Sequence, residues 1–217
     1  SIYKKIYNEQ ISSFKSTNLV DPNVVKCPLA YDEVFKKIAT NQILIEIMKE
    51  VLGFNFLLLM QNINITKAKN NNNASAWHRD LNYQHWVSSK PIAFNALFTI
   101  DSFTKQNGCT RVIPSSHKFE EFPSDNFIKK NEINLEAPAG SIIILDAMLY
   151  HRAGINNTNK NRVGINHVIG LPFLTQQINL PKLLGENSFK NNSFEYNYFG
   201  YRWSPADDAF EWRNKRN

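Results

Sequence analysis

Cysteine is scarce. Cys27 and Cys109 are the only two in 217 residues, far apart and without metal or redox spacing. They read as free thiols, which excludes a disulfide framework and points to a reducing, cytoplasmic compartment. No apolar run approaches the ~18 residues of a membrane-spanning helix, and no signal peptide is read. Basic runs are missing as well, since no Lys/Arg run exceeds two residues. The net charge is +6, from 25 Lys+Arg against 19 Asp+Glu, with a pI near 9.2. Without a basic stripe this charge reads as a solvated surface, not a nucleic-acid footprint. Neither nucleic acid nor a membrane is an expected partner.

Hydrophobic residues make up 42% of the chain and charged residues 20%, enough for a sizeable core. The length suits a single domain over residues 1–217. Residues 2–14, 31–38 and 43–52 carry apolar residues at helical spacing, and Gly53 is a C-cap candidate. After Gly53 the pattern changes to short apolar runs with turns between them. Strands are expected at 54–67, 77–83, 92–100, 110–113, 141–145, 149–152 and 162–170, with turns at Asn107-Gly108 and 138–140. This predicts a mainly β jelly roll: a helical flank over 1–53, a core over 54–171 and an irregular tail over 172–217.

Trp77-His78-Arg79-Asp80 contains His-x-Asp. On a strand, residues i and i+2 share a face, so His78 and Asp80 can aim at one point. His151, after a strongly apolar strand, is the candidate third ligand. Two His and one carboxylate form a facial triad with open positions on Fe(II). Arg162 lies eleven residues beyond His151, across a polar loop that lets the next strand return beside it. A buried Arg there needs a carboxylate or comparable partner.

These pieces, with Asn107-Gly108-Cys109-Thr110-Arg111-Val112-Ile113-Pro114-Ser115-Ser116-His117 and the strand pair over 140–151, resemble the phytanoyl-CoA dioxygenase family of Fe(II)/2-oxoglutarate oxygenases. The resemblance covers roughly residues 54–170. It implies a double-stranded β-helix, Fe(II) held by His78, Asp80 and His151, and Arg162 on the distal carboxylate of 2-oxoglutarate. Gln61 with Lys67 resembles the ectoine hydroxylase branch, which makes Gln61 a cosubstrate candidate together with Asn95 and Thr99. Trp77, Tyr83, Trp86, Arg152 and Asn166 are substrate candidates. The departures are Ala153 in place of a hydroxyl residue, Leu97 in place of Trp, and no Gly in Pro114-Ser115-Ser116-His117.

The chemistry implied is hydroxylation of an unactivated C–H in a small polar metabolite, using molecular oxygen and releasing succinate and CO2. Asp80 favours hydroxylation over halogenation, which needs a small residue there; desaturation and ring formation share the oxidising step. The alternative is a cupin-like metal-dependent isomerase or small-molecule binding module that does not use 2-oxoglutarate. His167 alternates away from Arg162 and reads as packing, as does Arg79 opposite His78 and Asp80. The aromatic segment 196–203 reads as a lid or packing strap. The polar loop 118–136 is the expected carrier of specificity. Oligomeric state is not legible.

Overall fold

A computed structural model describes residues 1–12, 21–69, 76–81 and 86–214. The helical flank forms where short polar side chains precede apolar periodicity. Asp32 accepts from the Val34 N–H (2.9 Å) to open α2 (Glu33–Ala39), and Asn41 accepts from the Leu44 N–H (3.1 Å) to open α3 (Gln42–Leu52). Gly53, at φ 80°, ends α3 in a conformation that other residues resist. With α1 (Ile2–Ser12) these are the three expected helices. The buried stripe of α3 is Leu44, Ile45 and Met48, while Ile43 and Val51 face solvent.

The described residues hold eight strands: β1 (Val24–Lys26), β2 (Leu57–Thr66), β3 (Ala93–Thr99), β4 (Thr110–Val112), β5 (Ile133–Leu135), β6 (Ile142–Asp146), β7 (His151–Ala153) and β8 (Arg162–Gly170). They form a large antiparallel sheet, β1-β2-β8-β3-β6, and a small one, β5-β4-β7. His78 pairs with His151 through two backbone hydrogen bonds of 3.0 and 3.1 Å, so it adds a one-residue strand beside β7. The chain then runs back and forth between β2-β8-β3-β6 and β5-β4-β7-His78. That winding is the double-stranded β-helix, a jelly roll.

β8 sits between β2 and β3, and all nine of its residues are buried. Its faces differ in chemistry. Val163, Ile165 and Ile169 join Ile63 and Ile65 of β2 in a core shared with Phe35, Leu44 and Met48 of the flank. The alternate residues Arg162, Gly164 and Asn166 face the barrel interior, with Asn166 reaching Asp80.

Three expectations change. Of the strand expected at 77–83, residues 77–81 show a bridge at His78 followed by a bend at Asp80, whose N–H is held by the Ala147 carbonyl (3.1 Å), and 82–83 lie outside the described residues. The 118–136 loop contains α4 (Asp125–Asn131), capped by Ser124, and β5. Ile128 of α4 packs with Ile113, Tyr150 and Trp77 behind the small sheet, so this segment is structural cover there. The tail is only partly irregular: between its turns it forms three short helices, α5 (Leu180–Leu184), α6 (Phe194–Tyr198) and α7 (Ala209–Asn214). Tyr198, Phe199 and Tyr201 are buried in the core outside the large sheet, as a packing strap. Among the described residues, no helix is long and apolar enough to cross a membrane.

Candidate metal centre

His78, Asp80 and His151 converge: one donor atom from each lies within 4.8 Å of the others. The backbone explains the meeting. The pairing of His78 with His151 sets the two imidazoles side by side, with ring centroids 4.4 Å apart. Each Nδ1 lies 2.9 Å from a carbonyl two residues earlier, Ala76 for His78 and Leu149 for His151. Both Nε2 atoms then point at Asp80 Oδ1, at 3.5 and 3.6 Å. A carbonyl on the far ring nitrogen fixes the tautomer that presents a lone pair, as in metal-binding imidazoles.

The electrostatics agree. Burial alone would raise the Asp80 carboxyl, but His151 and His78 outweigh it and hold it well below the usual carboxylate range. The same Asp80 contact raises the His78 imidazole. His151 is buried and the His78 side chain is 44% exposed, so the cluster opens to solvent on the His78 side. Two imidazole nitrogens and one carboxylate oxygen are the donor set of a facial iron site, and they fit Fe(II).

Arg162 is buried, and burial pushes its pKa down to about 10, so it stays charged at neutral pH. It donates to Thr66 Oγ1 (2.6 Å), across the β2–β8 pair, and its guanidinium lies 3.9 Å from the centre of the Phe103 ring. Gly164 makes room for that ring, because a Cβ there would stand 2.7 Å from it. No ion pair among the described residues includes Arg162, and its Nε has no hydrogen-bond partner there. Thr66 and Phe103 were not singled out by motif. Register signals the first, since Thr66 opposes Arg162 directly.

The remaining candidates divide. Asn166 reaches the cluster, donating from Nδ2 to Asp80 Oδ2 (3.3 Å). Asn95 is buried on the inner face, opposite Val168. Thr99 is also inward, but its hydroxyl is engaged by the 138–141 turn, donating to Pro138 O (2.7 Å) and accepting from Ser141 N–H (2.9 Å).

Gln61 is a correction. It points out of the barrel and bridges Phe35 O and His167 Nε2, both at 2.8 Å. Period-2 alternation puts it opposite His167 on the outer face. Trp77 and Arg152 are corrections too. They stack on each other behind the small sheet at 4.4 Å, because they alternate with His78 and His151. Arg152 also pairs with Glu132 (3.2 Å), which holds Arg111 as well (3.4 Å). Trp86 is 44% exposed, and Tyr83 lies outside the described residues. His167 and Arg79 are packed away from the cluster, as expected. Arg79 donates to Ser116 O and Phe119 O.

Similar proteins are known in sequence and in fold. A protein of Mycobacterium tuberculosis, Rv1501, is 35% identical over 112 residues, covering 52% of this chain and 40% of its own length. The dioxygenase olcK of Penicillium canescens is 30% identical over 125 residues, covering 52% of this chain and 40% of its own. The chain therefore spans less than half the length of these relatives. In fold it is similar to EctD of S. alaskensis, solved with 2-oxoglutarate and 5-hydroxyectoine. That likeness has a TM-score of 0.65 and 17% identity, over 79% of this chain and 66% of EctD. The phytanoyl-CoA dioxygenase family itself matches residues 8–164, a stretch that holds His78, Asp80, His151 and Arg162. By that match the chain belongs to the phytanoyl-CoA dioxygenase (PhyH) family of Fe(II)/2-oxoglutarate-dependent oxygenases.

Proposed function

We propose that this protein is an Fe(II)- and 2-oxoglutarate-dependent dioxygenase that hydroxylates an unactivated C–H of a small polar metabolite. The observation that carries the reading is the coexistence of two features in one barrel. One is the convergent His78–Asp80–His151 cluster. The other is a buried Arg162 cation without a carboxylate partner among the described residues. A cation so placed is costly unless an anion joins it.

His78, Asp80 and His151 would hold the iron. Iron held there would supply the oxidising chemistry of a 2-oxoglutarate-dependent hydroxylation. The chain's own work is positional. Phe103 and Thr66 fix the plane of the Arg162 guanidinium, a fork suited to the distal carboxylate of the cosubstrate. Asn62, Asn95 and Asn166 line the inner face, and their Oδ1 atoms are buried with no partner among the described residues. Neutral acceptors of this kind suit a substrate with hydroxyl or amino donors and support the polar class over an acyl chain.

Anaerobic addition of Fe(II) and then 2-oxoglutarate is expected to produce a metal-to-ligand charge-transfer band. Arg162→Ala is expected to weaken 2-oxoglutarate binding about 10- to 100-fold, the scale of a lost charge-assisted pair. Absence of the band in the wild-type protein would sink the reading. Unaltered ligand binding and turnover in Arg162→Ala would favour the isomerase or binding-module alternative.

A further inference from the structure

The two oxygens of Asp80 have different neighbours. Oδ1 faces both imidazoles, 3.5 Å from His78 Nε2 and 3.6 Å from His151 Nε2. Oδ2 points the other way and accepts from Asn166 Nδ2 at 3.3 Å. The amide orientation follows from chemistry: an ionised carboxylate only accepts, so the NH2 of Asn166 must face it. Asn166 is rigidly placed for this task. It is buried in the middle of β8, paired with Asn62 on one side and Leu97 on the other.

We infer that Asn166 is a positioning residue that keeps Asp80 bound to the metal through Oδ1 alone. With Oδ2 held by the amide, the carboxylate cannot swing to present both oxygens. One-oxygen ligation matters for the proposed reaction. Three protein donors on a six-coordinate ion would leave three positions open for cosubstrate and oxygen. A two-oxygen Asp80 would take one of them. Asn166 touches neither the metal nor the reacting atoms in this arrangement; it acts through Asp80.

The inference rests on the metal reading of the cluster, and the test separates the two. Mn(II) alone is the probe, titrated into wild type, Asn166→Ala and Asn166→Ser. Serine keeps a polar group in the barrel but withdraws the donor from Oδ2, and it serves if the alanine variant does not fold. Both variants are expected to lose about 10- to 100-fold in Mn(II) affinity, the usual consequence of removing a partner of a metal ligand. Infrared difference spectra with 13C-labelled aspartate read the ligation mode. The separation between the asymmetric and symmetric stretches of Asp80 is expected to be wide in wild type and to narrow in the variants. Wild type that binds no Mn(II) would defeat the metal reading itself. Wild type that binds, with variants of equal affinity or an unchanged stretch separation, would overturn the role of Asn166 and leave the metal reading standing.

Discussion

His167 shows how one polar residue can look like a site and serve the core. It is fully buried, and burial pushes its pKa down to about 4. Gln61 donates to its Nε2 and also to Phe35 O, so this imidazole is neutral and ties β8 to β2 and, through Gln61, to α2. An unfolded imidazole takes up its proton near ~6.5, while the folded one waits until about 4. Between those values the unfolded state binds more protons, so stability falls as the pH drops. The loss approaches about 3 kcal/mol. Denaturant unfolding of wild type and His167→Gln between pH 7 and 4.5 measures this, and the variant should show a flatter profile. Superimposable pH slopes would remove His167 as the cause. At this scale the convergence of His78, Asp80 and His151 was legible because His-x-Asp spacing survives a bend as well as a strand. Gln61 was not, because a motif gives the residue but not its face. The bulge in β2 between Leu58 and Met60 breaks simple counting from the strand start.

Elements were legible where they were long and periodic. β8 and α3 were expected at 162–170 and 43–52 and are observed at Arg162–Gly170 and Gln42–Leu52. The 118–136 segment was not, since α4 spans seven residues and β5 three, too few for a period to emerge. These short elements matter because β5 completes the small sheet, and Glu132 between them joins two strands electrostatically. Arg111 of β4 and Arg152 of β7 are directly opposed, and Glu132 pairs with both. All three side chains are about three-quarters buried, with 23–26% exposure, so screening by water is incomplete. Like charges directly opposite destabilise a sheet. Glu132→Ala should therefore lower stability by about 1–2 kcal/mol, between exposed and fully buried pairs. Added salt should recover part of it. Thermal unfolding at low and high ionic strength checks both statements, and a variant as stable as wild type at low salt would show that Glu132 is dispensable.

For the whole molecule, the candidate metal centre is also a junction. Its ligands come from 78–80 and from 151, segments far apart in sequence that meet as neighbouring strands of the small sheet. In the unfolded chain the three side chains have no common point, so an ion held by all three binds the native state selectively. Linkage then fixes the consequence: at a hundredfold excess over its dissociation constant, such an ion adds about 2.7 kcal/mol. For a chain of this size that corresponds to a rise of about 5–10 °C in melting temperature. Mn(II) or anaerobic Fe(II) should produce the rise, a chelator should reverse it, and Asp80→Ala should abolish it. Protons compete for the same nitrogens. Because Asp80 raises the His78 pKa above its ordinary value, the metal-dependent increment is full above that titration and shrinks as the pH falls through it. A melting temperature that ignores metal at neutral pH, or that rises equally in Asp80→Ala, would place the ion elsewhere. A rise confined to the intact triad and lost in acid would tie the jelly roll's small sheet to the iron it is proposed to hold.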